Sequence, residues 1–419
     1  MTILDATFDP FSLRSQFPAL QVTVNGAPAA FLDGPGGTQT PQRVIDAMRA
    51  YLTGGSSNLG GLFYTSRRTD DVVEAARAAA QDLLNANQPE EIVFGQNMTS
   101  LTFALSRALS RTWAAGDEIV LTRLDHEANI SPWQLAAAER GVQVRWLDLT
   151  PHDCTLALAT LPQLLTDRTR LVAITYASNA VGSITDVARV VEMAHSVGAL
   201  VAVDAVHYTP HGLVDVQALG CDFLLSSAYK YFGPHTGVLY GRYVWLDALP
   251  AYKVRPAPDK PAGKWETGTQ SFESLAGVTA AVDYLASLGG PAATRRGQIV
   301  QAMTRIKSYE MGLSDYFLRQ APHVPGLRVY GITDVENLAW RTPTFAVSLA
   351  GHTPAAVAAY LGERGCFVWH GHYYAVAVME RLGLLEQGGL VRIGFVHYNT
   401  RDEVDRVLAA LADLAARTG

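Results

Sequence analysis

The feature that most constrains the fold is an apolar run, Ala199-Leu200-Val201-Ala202-Val203, which ends in Asp204. A short segment that is apolar on both faces is typical of a parallel strand covered by helices on either side. Segments with strand patterns alternate with segments of helical periodicity on both sides of this run. Such alternation predicts an α/β fold with a mostly parallel, helix-covered sheet.

The predicted elements divide the chain into two packed regions. The elements of the first region are, in chain order, helix 69–85, strand 91–95, helix 97–111, strand 118–121, helix 132–140, strands 142–147 and 170–175, helix 187–196, and strands 200–204, 223–226 and 236–240. An exposed loop at 250–263 and helices at 271–288 and 293–319 follow. The last region is α+β, with strands at 328–330, 344–349, 366–369 and 391–394 and helices at 354–363 and 401–417. We therefore predict a large domain at 26–290 and a small C-terminal domain at 291–419, against which an N-terminal segment at 1–25 packs.

Lys230 is the first of only five lysines in the chain, and it lies four residues after the end of the predicted strand 223–226. Ligands of open α/β sheets bind beyond the carboxyl ends of strands, so Lys230, Asp204 and His207 are expected to face one crevice. A partly desolvated lysine amine attacks aldehydes, and a carboxylate keeps a pyridine nitrogen protonated. The combination predicts a site for pyridoxal phosphate (PLP).

Composition excludes several other functions. The 419-residue chain has a net charge of −6, which favours neither nucleic acid nor an anionic membrane as a partner. Its three cysteines, Cys154, Cys221 and Cys366, are far apart, so neither a disulfide framework nor a metal site is predicted. The N-terminus does not have the pattern of a signal peptide, and no apolar stretch is long enough to span a membrane. A cytoplasmic location is expected.

Further motifs carry a resemblance to a known family. They lie at 31–41, 116–120, 125–129, 178–182, 203–204, 265–269, 391–392 and 398–400. With them the chain resembles class V, fold-type I PLP enzymes, specifically the cysteine desulfurase and selenocysteine lyase branch. The resemblance implies the PLP-dependent transferase fold, with a mostly parallel seven-stranded-type sheet in the large domain. It also implies a homodimer that acts on an amino acid, a small-molecule substrate.

The resemblance also implies roles for individual residues. Lys230 would form the imine with the cofactor, Asp204 would pair with the pyridine nitrogen, and His126 would stack on the ring. The other implied cofactor contacts are His207, Met98, Thr99, Asn179, Ser227, Tyr229 and, from the second subunit, Thr269. The phosphate would lie where the helix opens at 98–100, because free N–H groups and the helix dipole favour an anion there. Taken singly, His126 also fits a helix cap.

Substrate contacts are implied for four residues. Arg392 would bind the substrate carboxylate, since its planar guanidinium suits that task, although alone it also fits a structural ion pair. The other three are Asn179, His372 and Tyr374. Tyr64 and Tyr373 are further aromatic residues expected to shape a pocket for something larger than cysteine.

One departure from the family decides the expected reaction. The desulfurases carry a persulfide-forming cysteine in a Gly-His-His-Cys loop, whereas this loop reads Trp369-His370-Gly371-His372-Tyr373-Tyr374-Ala375. Tyr374 occupies the place of the cysteine, and a phenol cannot hold a persulfide. Cys366 leads an apolar run and is predicted to be a buried strand cysteine. We therefore expect a β-eliminating C–S type lyase that acts through an external aldimine. A class V aminotransferase or epimerase is the alternative, and a non-catalytic PLP-binding protein is the alternative from another class.

Overall fold

The structure, a computed structural model, describes residues 8–417. The first seven residues of the predicted N-terminal segment and the last two of the predicted C-terminal domain lie outside this range. The strands are β1 Thr23–Val24, β2 Ala27–Pro28, β3 Ala30–Phe31, β4 Ile92–Gly95, β5 Glu118–Thr122, β6 Gln143–Leu147, β7 Thr169–Thr175, β8 Leu200–Asp204, β9 Phe223–Ser227, β10 Gly237–Gly241, β11 Leu327–Tyr330, β12 Thr344–Leu349, β13 Cys366–Phe367, β14 Trp369–Gly371 and β15 Leu390–Gly394.

The α-helices connect these strands and cover the sheets. They are α1 Pro10–Arg14, α2 Gln42–Thr53, α3 Tyr64–Leu84, α4 Met98–Leu109, α5 Ser131–Arg140, α6 Leu161–Leu164, α7 Val187–His195, α8 Val216–Leu219, α9 Tyr243–Ala248, α10 Phe272–Ser287, α11 Arg295–Gln320, α12 Pro354–Glu363, α13 Val376–Arg381 and α14 Arg401–Ala416. None of the helices within residues 8–417 is both long enough and apolar enough to cross a membrane.

A seven-stranded sheet forms the centre of the large region, in the order β4-β10-β9-β8-β7-β5-β6. Only β10 runs antiparallel to its neighbours, so the predicted mostly parallel sheet is confirmed. Side chains alternate between two buried layers: Val201 and Val203 pack on one face of the sheet, while Ala202 packs on the other. Burial on both faces is the physical reason for the continuous apolar run at 199–203.

A second sheet, of order β11-β12-β15-β14, is antiparallel throughout. The prediction of one strand at 366–369 was wrong. Cys366–Phe367 pairs in parallel with Ala30–Phe31, whereas Trp369–Gly371 pairs with β15. The chain changes partner at Val368 because two different strand edges are available to it. As a result, Trp369 lies opposite Arg392 in the register of β14 and β15.

Helix α2 was not predicted from the sequence. Only Val44 and Tyr51 of its twelve residues are buried, which leaves too narrow an apolar stripe to identify a helix by periodicity. The predicted helices at 69–85, 271–288 and 293–319 are present as α3, α10 and α11.

Candidate active site

The carboxyl ends of four central strands open onto one cavity of about 740 Å³. β8 ends at Asp204, and β9 is followed by a single helical turn that carries Lys230. His126 follows β5, and Asn179 lies in the loop after β7. The second sheet supplies Arg392 from β15 and the wall at 369–374. The cavity therefore lies where the two sheets meet, which brings together side chains that are distant in sequence.

Lys230 is buried in this cavity, with 9% of its surface exposed. Its Nζ donates a hydrogen bond to the carbonyl of Pro35. Burial, and then the positive charge of Arg392, lower the pKa of Lys230 from 10.5 to about 7, although Asp204 and Asp33 oppose the shift. A large fraction of this amine is therefore neutral, and hence nucleophilic and basic, near pH 7.

Asp204 is the one carboxylate among the residues predicted for this site, and it is buried. Its Oδ1 accepts a hydrogen bond of 2.9 Å from the backbone N–H of Val206. Burial raises the pKa of Asp204 to about 6, and Lys230 opposes that rise. A buried carboxylate of this kind is stabilised by a cationic partner within the cavity.

Two histidines line the cavity in neutral form. Nδ1 of His126 accepts the N–H of Ala128 at 2.9 Å, so His126 caps a short helical turn and also faces the cavity. Burial lowers the pKa of His126 to about 4. His207 lies with Nε2 at 3.1 Å from Oγ1 of Thr342 and 3.0 Å from Oγ1 of Thr344. Burial lowers the pKa of His207 well below its usual value.

Arg392 and Asn179 are neighbours in the cavity lining. The guanidinium of Arg392 donates to the carbonyl of Asn179 at 3.0 Å and lies 4.6 Å from the centroid of the Tyr373 ring. Burial lowers the pKa of Arg392 to about 10, which leaves it charged at neutral pH. Nε of Arg392 and Oδ1 of Asn179 are buried without hydrogen-bond partners. Orphaned groups of this kind indicate that a polar ligand completes the site.

The loop at 372–374 is held in a strained conformation. Tyr373 and Tyr374 both have positive φ angles, 53° and 59°, a region that bulky residues rarely adopt. The side chain of Asn179 donates to the carbonyl of Tyr373 at 2.9 Å, and the N–H of Glu127 donates to the carbonyl of Tyr374 at 2.7 Å. The N–H of Tyr374 donates to Nδ1 of His372 at 3.1 Å. These bonds fix the loop against the cavity.

Comparison with known proteins identifies the family of this chain. The profile of the Aminotransferase class-V family matches residues 30–407. The chain belongs to this family. A cysteine desulfurase from Dickeya dadantii is 34% identical over 414 residues, covering 95% of each chain. A cysteine desulfurase from Cronobacter sakazakii is 33% identical over 424 residues, covering 97% of this chain and 98% of the relative.

Solved structures agree with the family assignment. The cysteine desulfurase CsdA of Escherichia coli superimposes with a TM-score of 0.84 at 27% identity, covering 98% of this chain and 99% of its own. The cysteine desulfurase of Thermococcus onnurineus has a TM-score of 0.87 at 26% identity and coverage of 97% and 98%. The prediction of a cysteine desulfurase-like class V enzyme with the fold-type I architecture and PLP as cofactor is thereby confirmed.

The donors and acceptors of this class V site fit PLP. Lys230 and Asp204 line the same cavity as the imidazole face of His126, and the start of α4 supplies amide groups at one end. One detail of the predicted phosphate site was wrong. The N–H of Met98 donates to Ser227 Oγ at 3.1 Å and that of Ser100 to Asn97 at 2.9 Å. Only the N–H of Thr99 is left free among these three, because the capping side chains satisfy the others.

The structure brings most, but not all, of the predicted residues to the cavity. The predicted residues that line it are Met98, Thr99, His126, Asn179, Asp204, His207, Ser227, Tyr229, Lys230, His372, Tyr373, Tyr374 and Arg392. Thr269 lies outside this lining on an exposed loop, so its contact across a dimer stays a prediction. Tyr64 does not line the cavity of its own chain and is 76% exposed at the start of α3, so its place in a substrate pocket stays a prediction. Cys366 is buried in β13, also outside the lining.

Sequence reasoning missed part of the cavity wall. Glu127, Phe103, Ser131 and Trp369 also line it. Asp33 lies near Lys230 and Arg392, and burial raises its pKa although both cations oppose the shift. Glu127 directly follows His126, so its position in the chain was the one signal that could have identified it. The remaining residues reach the cavity only through the packing of distant segments.

Proposed function

We propose that this protein is a PLP-dependent lyase that removes the β-substituent of an amino acid by elimination, without a persulfide on the enzyme. The observation that carries the proposal is the cavity wall at 369–374, which presents Tyr374 and contains no cysteine. Cys154, Cys221 and Cys366 are all buried outside the cavity lining. The named relatives are cysteine desulfurases, so a bond between Cβ and sulfur is the expected site of cleavage.

The cavity residues would hold the cofactor in one orientation. Asp204 would pair with the protonated ring nitrogen, and His126, which is neutral, would lie on the ring face. The free N–H of Thr99 and the hydroxyl of Ser227 would receive the phosphate at the start of α4. His207 would stand near the ring hydroxyl, as the family resemblance implies, with its Nε2 held by the hydroxyls of Thr342 and Thr344. Tyr229 would contact the cofactor on the same side as His207.

Arg392 and Asn179 would hold the amino acid. The free Nε edge of Arg392 suits a carboxylate, and the orphaned Oδ1 of Asn179 suits an N–H or O–H donor. His372 and Tyr374 would contact the substrate from the mouth of the cavity. PLP, when bound, supplies an electron sink that makes the α-proton of an amino acid acidic.

Lys230 would act as the general base for the α-proton. Its amine, with the pKa lowered to about 7, accepts the α-proton, and the Cβ–S bond then breaks. The bonding electron pair leaves with sulfur as a thiolate, which takes up a proton. Addition of one water molecule to the remaining three-carbon fragment yields pyruvate and ammonia. Overall, the S-substituted cysteine and water give a thiol, pyruvate and ammonia, and no oxidant or reductant is required.

A homodimer would complete the phosphate end of the site. An open groove lined by Thr99, Tyr229 and His235 lies beside that end, where Thr269 of the second subunit would reach. Exposed apolar side chains also surround the start of α3, with Leu62 88% and Phe63 58% exposed. Contiguous exposed apolar residues of this kind mark interaction surfaces, which supports dimerisation.

A panel of amino acids tests the proposed reaction. Purified enzyme is mixed with L-cysteine, S-alkyl-L-cysteines and L-alanine while the cofactor spectrum, thiol, pyruvate, ammonia and α-proton exchange are followed. Equal amounts of thiol, pyruvate and ammonia are expected from S-substituted cysteines. Amino-group transfer to an added keto acid would instead establish an aminotransferase, and loss of chirality without other products an epimerase. Cofactor binding without any turnover across the panel would favour a non-catalytic role.

A further inference from the structure

The cavity extends beyond the residues assigned to the cofactor and to the α-carboxylate. A cavity of about 740 Å³ lies in the upper half of the range of roughly 300–1,000 Å³ that drug-sized ligands occupy. Some lining residues contact neither the expected cofactor nor the α-carboxylate of the substrate. Of these we call the following the outer wall of the cavity: Phe103, Glu127, Ser131, Trp369, His372 and Tyr374. A substrate with an extended side chain would fill this space.

Glu127 is the acidic side chain on this outer wall. Its Oε2 accepts a hydrogen bond from the Ser131 hydroxyl at 2.7 Å, which fixes the carboxylate in orientation. No lysine, arginine or histidine pairs with it within residues 8–417. The neighbouring His126 is neutral, because burial lowers its pKa to about 4. The negative charge of Glu127 is therefore available to a ligand in the cavity.

Two exposed aromatic side chains line the same cavity as this carboxylate. Tyr374 and Trp369, which both line the cavity, are 65% and 55% exposed, so large parts of their rings remain uncovered. The backbone N–H of Glu127 binds the carbonyl of Tyr374 at 2.7 Å, which keeps the aromatic loop and the carboxylate adjacent. Aromatic faces beside a carboxylate attract cations by cation–π and ionic contact together.

We propose that this outer region is a subsite for a positively charged substituent on the substrate side chain, an amine or a guanidinium. The inference rests on the proposed function and names its substrate class: a β-thio-substituted alanine whose sulfur substituent ends in a cation. Arg392 binds the α-carboxylate at the inner end, and Glu127 binds the cation at the outer end. The two charges give the cavity a polarity that selects both the class and the orientation of the substrate.

Three substrates of similar size provide the test. S-(2-aminoethyl)-L-cysteine and S-propyl-L-cysteine differ in an ammonium against a methyl group, and S-(carboxymethyl)-L-cysteine places a negative charge in the same region. Apparent Kd is measured from the cofactor absorbance, and kcat/KM from thiol release. We expect the aminoethyl compound to be preferred over the propyl compound roughly 10-fold or more, since a charged hydrogen bond and a cation–π contact are gained. The carboxymethyl compound should be the poorest.

Two variants and one control variant test which residues cause the preference for the aminoethyl compound. Glu127→Gln retains the shape and the Ser131 contact but removes the charge, so the ratio between aminoethyl and propyl compounds should fall close to one. Tyr374→Asn removes the aromatic face with a residue type that tolerates positive φ, and should lower the ratio several-fold. Glu139→Gln makes the same charge change at an exposed position of α5 and should leave the ratio unchanged.

The outcomes separate this inference from the proposed function. Equal Kd for the aminoethyl and propyl compounds in the unmodified enzyme overturns the cationic subsite, whatever the variants do. A preference that survives Glu127→Gln also overturns it. If the cofactor spectrum shows preferential binding of the aminoethyl compound but no thiol or pyruvate forms, the subsite stands and the proposed elimination fails.

Discussion

The ring of Tyr374 stacks on the imidazole of His126, with centroids 5.4 Å apart and ring planes 19° apart. His126 follows β5 of the seven-stranded sheet and Tyr374 follows β14 of the second sheet, and the hydrogen bond from the Glu127 N–H to the Tyr374 carbonyl secures the contact. Tyr374 therefore has a fixed place over the histidine that is expected to cover the cofactor. A phenol in this place can shape a pocket, but it cannot carry sulfur.

We expect the enzyme to release sulfide from L-cysteine, if at all, by direct elimination, with pyruvate and ammonia rather than alanine as the other products. Cys366→Ser should leave activity nearly unchanged, because Cys366 is buried in β13 and burial raises the pKa of its thiol. The hydroxyl placed there should lower the free energy of unfolding by roughly 1–3 kcal/mol. Mass spectrometry after turnover checks this: a persulfide on Cys366 with stoichiometric alanine would restore a desulfurase mechanism.

Covalent capture of PLP should depend on a neutral Lys230. Because the pKa of Lys230 is lowered to about 7, the neutral amine fraction rises as pH increases through 7. The rate at which cofactor-free enzyme takes up PLP, followed by absorbance, should therefore rise with a midpoint near 7. A midpoint close to that of an ordinary lysine, about 10.4, would contradict this. Borohydride should fix the cofactor on Lys230, and Lys230→Ala should fold but lose this product in peptide mapping.

Asp204→Asn should retain PLP yet lose most turnover. The amide cannot hold the ring nitrogen protonated, so the cofactor no longer accepts electrons effectively. Removing one electrostatic group at a reacting centre costs roughly 100-fold or more in kcat. Cofactor content from absorbance, measured beside kcat, separates this loss from lost binding. An unchanged kcat at full cofactor content would make Asp204 a structural residue.

Arg392→Lys should raise KM more than it lowers kcat. An ammonium keeps the charge but loses the planar donor edge that faces the cavity. A hydrogen bond to a charged group contributes roughly 1.5–3 kcal/mol, which corresponds to roughly 10- to 160-fold in KM. Steady-state kinetics with one S-substituted cysteine measures both constants. A KM within twofold of the unmodified value would assign Arg392 to packing against Tyr373.

The active species should be a homodimer. Leu62→Asp places a charge in the exposed apolar surface at the start of α3 and should shift the protein to monomers with weakened PLP binding. Leu135→Asp, at an exposed apolar position of α5, is the matched control and should not change the mass. Multi-angle light scattering at assay concentrations measures both. A fully active monomer of the unmodified chain would refute the dimer and the role of Thr269.

Patterns within single segments were sufficient to predict the central architecture. The apolar run that ends at Asp204 and the lone Lys230 after β9 predicted a parallel sheet with a site at its carboxyl edge, and the structure has both. Prediction failed where a segment interacts with two partners. Residues 366–369 form two short strands, because Cys366 pairs with β3 whereas Trp369 pairs with β15. Local propensity cannot distinguish one continuous strand from two strands with different partners.

The sequence by itself determined the family, the cofactor chemistry and the residue types at the strand ends, because periodicity and motif order are properties of the chain alone. Only the tertiary structure decided which further side chains join the predicted ones in the cavity, and which hydrogen bonds they make. It placed Glu127 beside Tyr374, assigned the Met98 N–H to Ser227, and left Tyr64 exposed outside the cavity of its own chain. It also lowered the pKa of Lys230 to about 7. Desolvation and the field of Arg392 cause that shift, and both exist only once distant segments have packed together.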